Sequence, residues 1–324
     1  MGSSLLSVGD LHRRLKDFNA ILSRKEQRPR LYFAKVDVKS AFDTIPQHSI
    51  LRFMGDVPPK GQKRYTVAKH VQIKAGEAAA RGAVGHEVGQ AAQRWHTVAI
   101  ASHEAAPLPD MIREDLGPRQ KNTIFVDTGV YQTHATAALL TLMAEHVATN
   151  LVKIGKKFYR QKSGIPQGSI LSSMLCNYFY ANLEATQLDF IRKDDDGCVL
   201  MRLIDDFLLI TTDRAKAAKF VTIMHKGIPR YGVTVNATKS LVNFDLELSG
   251  QTVARASDAA GFPYCGTLID TRTLDISRDR GRQSNGPIAN SLTIDFGRLP
   301  GQNFQRKVLS ACVQPSPSSP IFHG

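Results

Sequence analysis

Residues 199–212 read VLMRLIDDFLLITT. Two short aliphatic runs flank one acid pair, Asp205 and Asp206. Bounded apolar runs of this length suit two buried strands that meet at a tight turn. Adjacent carboxylates in such a place are costly unless something compensates their charge. A turn facing water, a basic partner and a divalent metal are the three solutions.

The bulk composition is that of a globular chain. Its 324 residues allow one large domain or two ordinary ones, and 42% hydrophobic with 22% charged residues is unremarkable. The net charge of +13 and the pI of about 9.7 depart from the ordinary. They point to an anionic partner, nucleic acid in the simplest case, against the plainer reading of a solvated basic surface. Basic residues gather at 12–30, 153–162 and 272–282, and such patches can follow a phosphate backbone with salt-sensitive affinity. Cys176, Cys198, Cys265 and Cys312 form no CxxC and show no zinc spacing with histidine, so a reducing compartment without structural zinc is expected. Without a membrane-length apolar run or a signal-peptide pattern, the expectation is a soluble intracellular chain with no membrane partner.

Upstream of the acid pair, LYFAKVDVKSAF (31–42) alternates as a strand. Tyr32, Ala34, Val36 and Val38 share one face; Phe33, Lys35 and Asp37 share the other. Asp37 reads equally well as the solvated end of an edge strand and as a metal ligand. Pro46 suits the first position of a short helix carrying Ile50, Leu51 and Met54. Residues 61–154 are the hardest to read. They include an Ala/Gly-rich stretch at 76–92, a helix expected over 133–152, and His86, His96, His103, His134 and His146 at no metal-ligand spacing. The region is predicted to be a mainly helical insertion.

Gly164-Ile165-Pro166-Gln167-Gly168 is a shaped turn that opens a helix striped by Ile170, Leu171, Met174, Leu175, Tyr178 and Phe179. It is either a core-packed helix start or a turn lying beneath a nucleotide. Beyond the acid pair the pattern predicts a helix over 214–230 and two short strands in 233–244. Lys239, in the turn between those strands, is either solvated or phosphate-facing. A hairpin over 262–276, a helix near 304–313 and a Pro/Ser tail that should not pack complete the chain.

Five stretches in fixed order carry a family resemblance: KVDVKSAFDTIPQ (35–47), QKSGIPQGSILSSMLCNYFY (161–180), LMRLIDDFLLITT (200–212), YGVTVNATKSLVNF (231–244) and FPYCGTLIDTRTLDI (262–276). They resemble the palm motifs of reverse transcriptases, and among these the catalytic subunits of telomerases. Leu203-Ile204 before the acids is telomerase-like, where retroviral and many mobile-element enzymes place an aromatic at the position of Leu203.

The resemblance implies an α+β fold, a palm of antiparallel strands backed by helices, with a mainly helical insertion in the fingers. Residues 1–50 would form an N-terminal helix and first palm segment, 51–157 the insertion, 158–276 the main palm segment, and 277–324 the start of a truncated thumb with a disordered tail. The implied activity is RNA-directed DNA synthesis at chromosome 3′ ends with two Mg²⁺ ions. Asp37 and Asp205 would be the principal ligands, with Asp206 and the Val38 carbonyl beside them. Lys239 would face the leaving pyrophosphate. Phe42, five residues after Asp37, would exclude a 2′-hydroxyl, and Gln167 with Gly168 would support the nucleotide. Tyr264, Cys265 and Gly266 would grip the primer end.

The implied partners are telomerase RNA, a telomeric single-stranded DNA primer and deoxynucleoside triphosphates, in the nucleus. Upstream finger motifs and an RNA-binding domain are missing from the stretch, so a palm-centred fragment or a truncated gene product is expected, one that does not polymerise alone. A mobile-element reverse transcriptase and a non-catalytic nucleic-acid-binding remnant are the alternatives.

Overall fold

The computed structural model describes residues 2–24, 26–58, 61–74, 92–100, 109–110, 112–120, 122–191, 195–257 and 261–279, with 301 and 305. In chain order its helices are α1 (Val8–Leu22), α2 (Ala41–Thr44), α3 (Gln47–Gly55), α4 (Thr136–Ala148), α5 (Ile170–Gln187) and α6 (Arg214–Lys226). The first strands are β1 (Tyr32–Asp37), β2 (Arg64–Lys74), β3 (Ala92–Ile100), β4 (Thr123–Ala135), β5 (Leu151–Ile154) and β6 (Lys157–Arg160). Then come β7 (Cys198–Leu203), β8 (Asp206–Thr211), β9 (Leu241–Val242), β10 (Glu247–Leu248), β11 (Gln251–Thr252), β12 (Ala254–Arg255), β13 (Phe262–Tyr264), β14 (Thr267–Ile269) and β15 (Ile276–Arg278). The chain divides into two compact units, Met1–Pro46 with Gln167–Gly324, and Gln47–Pro166.

The first unit is built on a five-stranded sheet in the order β12-β9-β1-β8-β7. The expected hairpin is present: β7 and β8 pair antiparallel from Cys198↔Thr211 to Leu203↔Asp206. Strand β1 lies on the other side of β8, antiparallel, from Tyr32↔Thr211 to Asp37↔Asp206. Helices pack on both sides of β1 and β8, so both of their faces are largely buried. Phe33, Met201, Leu208 and Ile210 turn to one face and pack with Leu11, Leu15, Phe18 and Leu22 of α1 and with Phe262, Tyr264 and Ile269. On the other face, α6 packs on β1 and β8, and the Tyr180 ring of α5 meets the Phe207 ring edge-on at 5.8 Å. The two-residue period thus puts Asp37, Asp206 and Leu203 on the α1 face at one end of the sheet.

Asp213 caps α6, its carboxylate accepting from the Ala215 and Lys216 amides, and Gly227 at φ 77° ends the helix. The helix therefore stops before the predicted Arg230. Gly232 is required where it stands: at φ 62°, an added Cβ would come within 2.0 Å of the Thr44 carbonyl oxygen. The predicted 262–276 hairpin is a three-stranded meander, β13-β14-β15, whose first turn is at Cys265-Gly266.

The second unit corrects the prediction of a mainly helical insertion. Its largest element is an antiparallel sheet in the order β3-β2-β4. RYTVAKHVQIK in β2 and TIFVDTGVYQTHA in β4 are rich in β-branched and aromatic residues, which suit a pleated, half-buried surface. The helix expected over 133–152 is shorter, Thr136–Ala148, because Thr133 to Ala135 complete β4 and Leu151 enters β5. The Ala/Gly-rich stretch at 76–92, the helix near 304–313 and the tail lie almost wholly outside the described residues. Among the described residues no helix is long and apolar enough to cross a membrane.

Candidate active site

The site is assembled where β1 ends and the β7–β8 hairpin turns. Only Ile204 and Asp205 separate the two hairpin strands. Ile204 adopts φ 58°, a left-handed conformation costly for a β-branched residue. The Val38 amide donates to the Asp205 carbonyl at 3.2 Å, and the Asn236 amide donates to the Asp37 carbonyl at 2.9 Å. Asp37 is thus held at the backbone from the 233–236 segment, while its register partner across β8 is Asp206. The structure brings Asp37, Val38, Asp205 and Asp206 together.

Their electrostatics are unfavourable as they stand. Burial pushes the Asp205 carboxyl above its ordinary range, and repulsion from Asp206 and Asp37 adds to it. Burial does the same to Asp206, with Asp37 raising it further and Lys35 opposing. Lys239 reaches in from its turn: its Nζ lies 3.0 Å from Asp37 Oδ2, and that contact raises the lysine. Cys265 Sγ lies 3.8 Å from Asp206 Oδ2, and its thiol is pushed up to about 12, chiefly by burial. Among the described residues, no three His, Cys, Asp or Glu side chains already converge as a metal-binding group. The donor set nonetheless fits a hard divalent cation: carboxylate oxygens that repel one another, one of them neutralised by an ammonium.

The turn is braced from both faces of the sheet. On the α5 face lies Arg202, wholly buried. It donates to Glu184 Oε1 at 2.7 Å, Asn177 Oδ1 at 2.9 Å, the Ile204 carbonyl at 3.0 Å and the Asn177 carbonyl at 3.2 Å, between the rings of Tyr180 and Phe207. Ser3 donates to Glu184 through its amide and hydroxyl, and the Ser3 carbonyl and Leu5 amide bond the Arg202 backbone. On the α1 face, the Tyr264 hydroxyl accepts from the Leu203 amide at 3.1 Å and donates to the Asp206 carbonyl at 2.9 Å. Sequence reading missed Arg202, Glu184 and Asn177. The available signal was an arginine inside an aliphatic strand, a position that demands buried partners.

The nucleotide-side candidates sit together. Phe42 lies in α2, half-buried. Gln167 is exposed and donates to Asp43 Oδ1 at 3.0 Å, which ties it to the residue after Phe42. Gly168 follows at φ 85°, a conformation that favours glycine.

A strand acid opposed to a hairpin acid pair, on a helix-backed sheet whose strands β1, β8 and β7 run antiparallel, is the arrangement of a polymerase palm. The reverse transcriptase (RNA-dependent DNA polymerase) family matches residues 124–263, which include Asp205, Asp206, Gln167 and Lys239. Along 96% of its length the chain aligns with telomerase reverse transcriptases, at 34% identity over 318 residues to that of Canis lupus familiaris and 31% over 315 residues to that of Bos taurus. The fold resembles telomerase from Candida tropicalis (TM-score 0.56, 19% identity, 95% of this chain and 38% of that one). It also resembles telomerase from Candida albicans (TM-score 0.56, 20% identity, 85% and 36%); both were solved with a TWJ fragment of telomeric RNA.

The matched stretch is therefore similar to the reverse transcriptases. Along 96% of its length the chain is similar to the dog and cattle telomerase reverse transcriptases, and it spans 27% of the length of those proteins.

Proposed function

We propose that this chain is the palm-bearing segment of a telomerase catalytic subunit and carries RNA-directed DNA synthesis. The observation that carries the reading is Asp37 facing Asp206 across β1 and β8, with Asp205 in the adjoining turn. Asp37, Asp205, Asp206 and the Val38 carbonyl would hold Mg²⁺. The bound ions would lower the pKa of the primer 3′-hydroxyl and neutralise charge on the departing pyrophosphate.

The chain's own residues do the rest. Lys239, paired with Asp37, would leave it and meet the pyrophosphate as charge stabiliser or proton donor. Phe42 stands against the sugar and obstructs a 2′-hydroxyl. Gln167, held by Asp43, and Gly168 support the base pair. Residues 1–50 and 158–276 form the palm, and 51–157 the fingers insertion. The partners are telomerase RNA as template, a telomeric single-stranded DNA primer and deoxynucleoside triphosphates, in the nucleus. The net charge of +13 supports polyanion handling.

The test is Mg²⁺-dependent primer extension by a full-length telomerase carrying this segment, reconstituted with its RNA. Asp205→Ala abolishes extension if the reading holds; equal extension by both proteins rejects it.

A further inference from the structure

In an antiparallel hairpin, the pair that closes the turn fixes the geometry of everything the turn displays. Here that pair is Leu203 and Asp206, and Asp206 is also the register partner of Asp37. The Tyr264 hydroxyl touches both partners of the closing pair, accepting from one amide and donating to the other residue's carbonyl. A hydroxyl can play both parts at once; a phenyl ring can play neither.

Tyr264 is 1% exposed, packed against the sheet with Phe262 and Ile269, so water does not compete for these bonds. The next residue, Cys265, adopts φ 46° and Gly266 φ 79°, so the β13–β14 turn begins directly after the tyrosine. The Tyr264 carbonyl accepts from the Thr267 hydroxyl at 2.7 Å, and Cys265 Sγ approaches Asp206 Oδ2. One side chain therefore joins two turns.

We propose that Tyr264 is a positioning residue for the acid pair: its hydroxyl completes the rung that closes the Ile204-Asp205 turn and ties that turn to the β13–β14 turn. The proposal rests on the reading of Asp205 and Asp206 as the catalytic acids. It goes beyond a primer-contact role for this segment, because the tyrosine acts on the acids through the Leu203 amide and the Asp206 carbonyl. A displacement of the β13–β14 turn would then be felt at Asp205 and Asp206 through one oxygen.

Amide hydrogen exchange on the 324-residue chain tests it, with Tyr264→Phe compared to the parent. The ring is kept and the hydroxyl lost. The Leu203 amide is expected to exchange about tenfold faster, the change that loss of one hydrogen bond of ordinary net worth gives. Leu200 and Leu208, deeper in the same hairpin, stay unchanged. Thr267→Val, which removes the neighbouring hydroxyl but not the rung, leaves Leu203 as in the parent. Mn²⁺ affinity of the chain falls severalfold in Tyr264→Phe and not in Thr267→Val.

An unchanged Leu203 amide in Tyr264→Phe overturns the proposal. Uniformly faster exchange along β7 and β8, or the same acceleration in Thr267→Val, also overturns it by showing a general loss of packing. A parent chain that binds no Mn²⁺ counts against the catalytic reading of the acids, whereas the exchange comparison judges the rung independently.

Discussion

The ammonium of Lys239 lies 3.0 Å from a carboxylate oxygen of Asp37, at the point where the proposed function needs a metal ion. The lysine side chain is 61% exposed and Asp37 12%, so the contact is an ion pair at the mouth of the site. Lysine and divalent cation then compete for the same oxygen. Lys239→Ala is expected to raise the Mn²⁺ affinity of the chain, by up to about fivefold, the range an exposed ion pair allows. In the reconstituted enzyme the same change is expected to slow nucleotide incorporation by about 10²-fold or more, if Lys239 has its proposed role as charge stabiliser or proton donor. Metal titration and single-turnover extension measure the two effects separately. Weaker metal binding in the variant would contradict the competition.

The raised carboxyls of Asp205 and Asp206 set a pH dependence. Both bind their proton more tightly folded than unfolded, so the folded chain holds more protons as pH rises past the ordinary carboxylate range. Stability then falls with rising pH through that window and is flat above it. Asp205→Asn removes one of the repelling charges, so its melting temperature at pH 7 without divalent metal should exceed the parent's by a few degrees. The gain should shrink toward pH 4 and on adding Mg²⁺ to both. A lower melting temperature for Asp205→Asn at pH 7 would show that the carboxylate is stabilising.

Arg202 and Glu184 form the buried counterpart of the exposed pair. Arg202→Met leaves Glu184 charged and buried, with the Ile204 carbonyl unpaired, and is expected to cost about 3–5 kcal/mol. Arg202→Met with Glu184→Met should recover much of that loss, because the desolvated charge is gone. Urea unfolding of the two variants checks the ordering. A single variant as stable as the parent would mean that the network does not brace the turn.

Phe42 carries a selectivity prediction. Phe42→Ala should increase ribonucleotide incorporation relative to deoxyribonucleotide in the reconstituted enzyme. Competition assays with the two nucleotides measure the ratio. An unchanged sugar preference would remove Phe42 from the sugar contact.

The palm was legible because its signal is local. The period-two alternation of 31–38 and the two aliphatic runs around Asp205-Asp206 dictate strands whichever partners they find, and the ordered motifs supplied the pairing. The insertion was misread because the strand pattern of β2 is followed by an Ala/Gly-rich run, and composition drew the reading toward helix. The partners that brace the turn were not legible for a different reason. Arg202 finds Glu184 18 residues away, Ser3 reaches Glu184 across 181, and Tyr264 reaches Leu203 across 61. No periodicity within a segment encodes such contacts; only the assembled sheet brings them together.

Asp37, Asp205 and Asp206 are proposed to form one divalent-cation site. Mn²⁺ binding to the purified chain, followed by electron paramagnetic resonance for the parent, Asp37→Asn and Asp205→Asn, tests this. The parent should bind Mn²⁺, Mg²⁺ should displace it, and either substitution should weaken it at least tenfold. Equal binding by all three proteins would contradict the account.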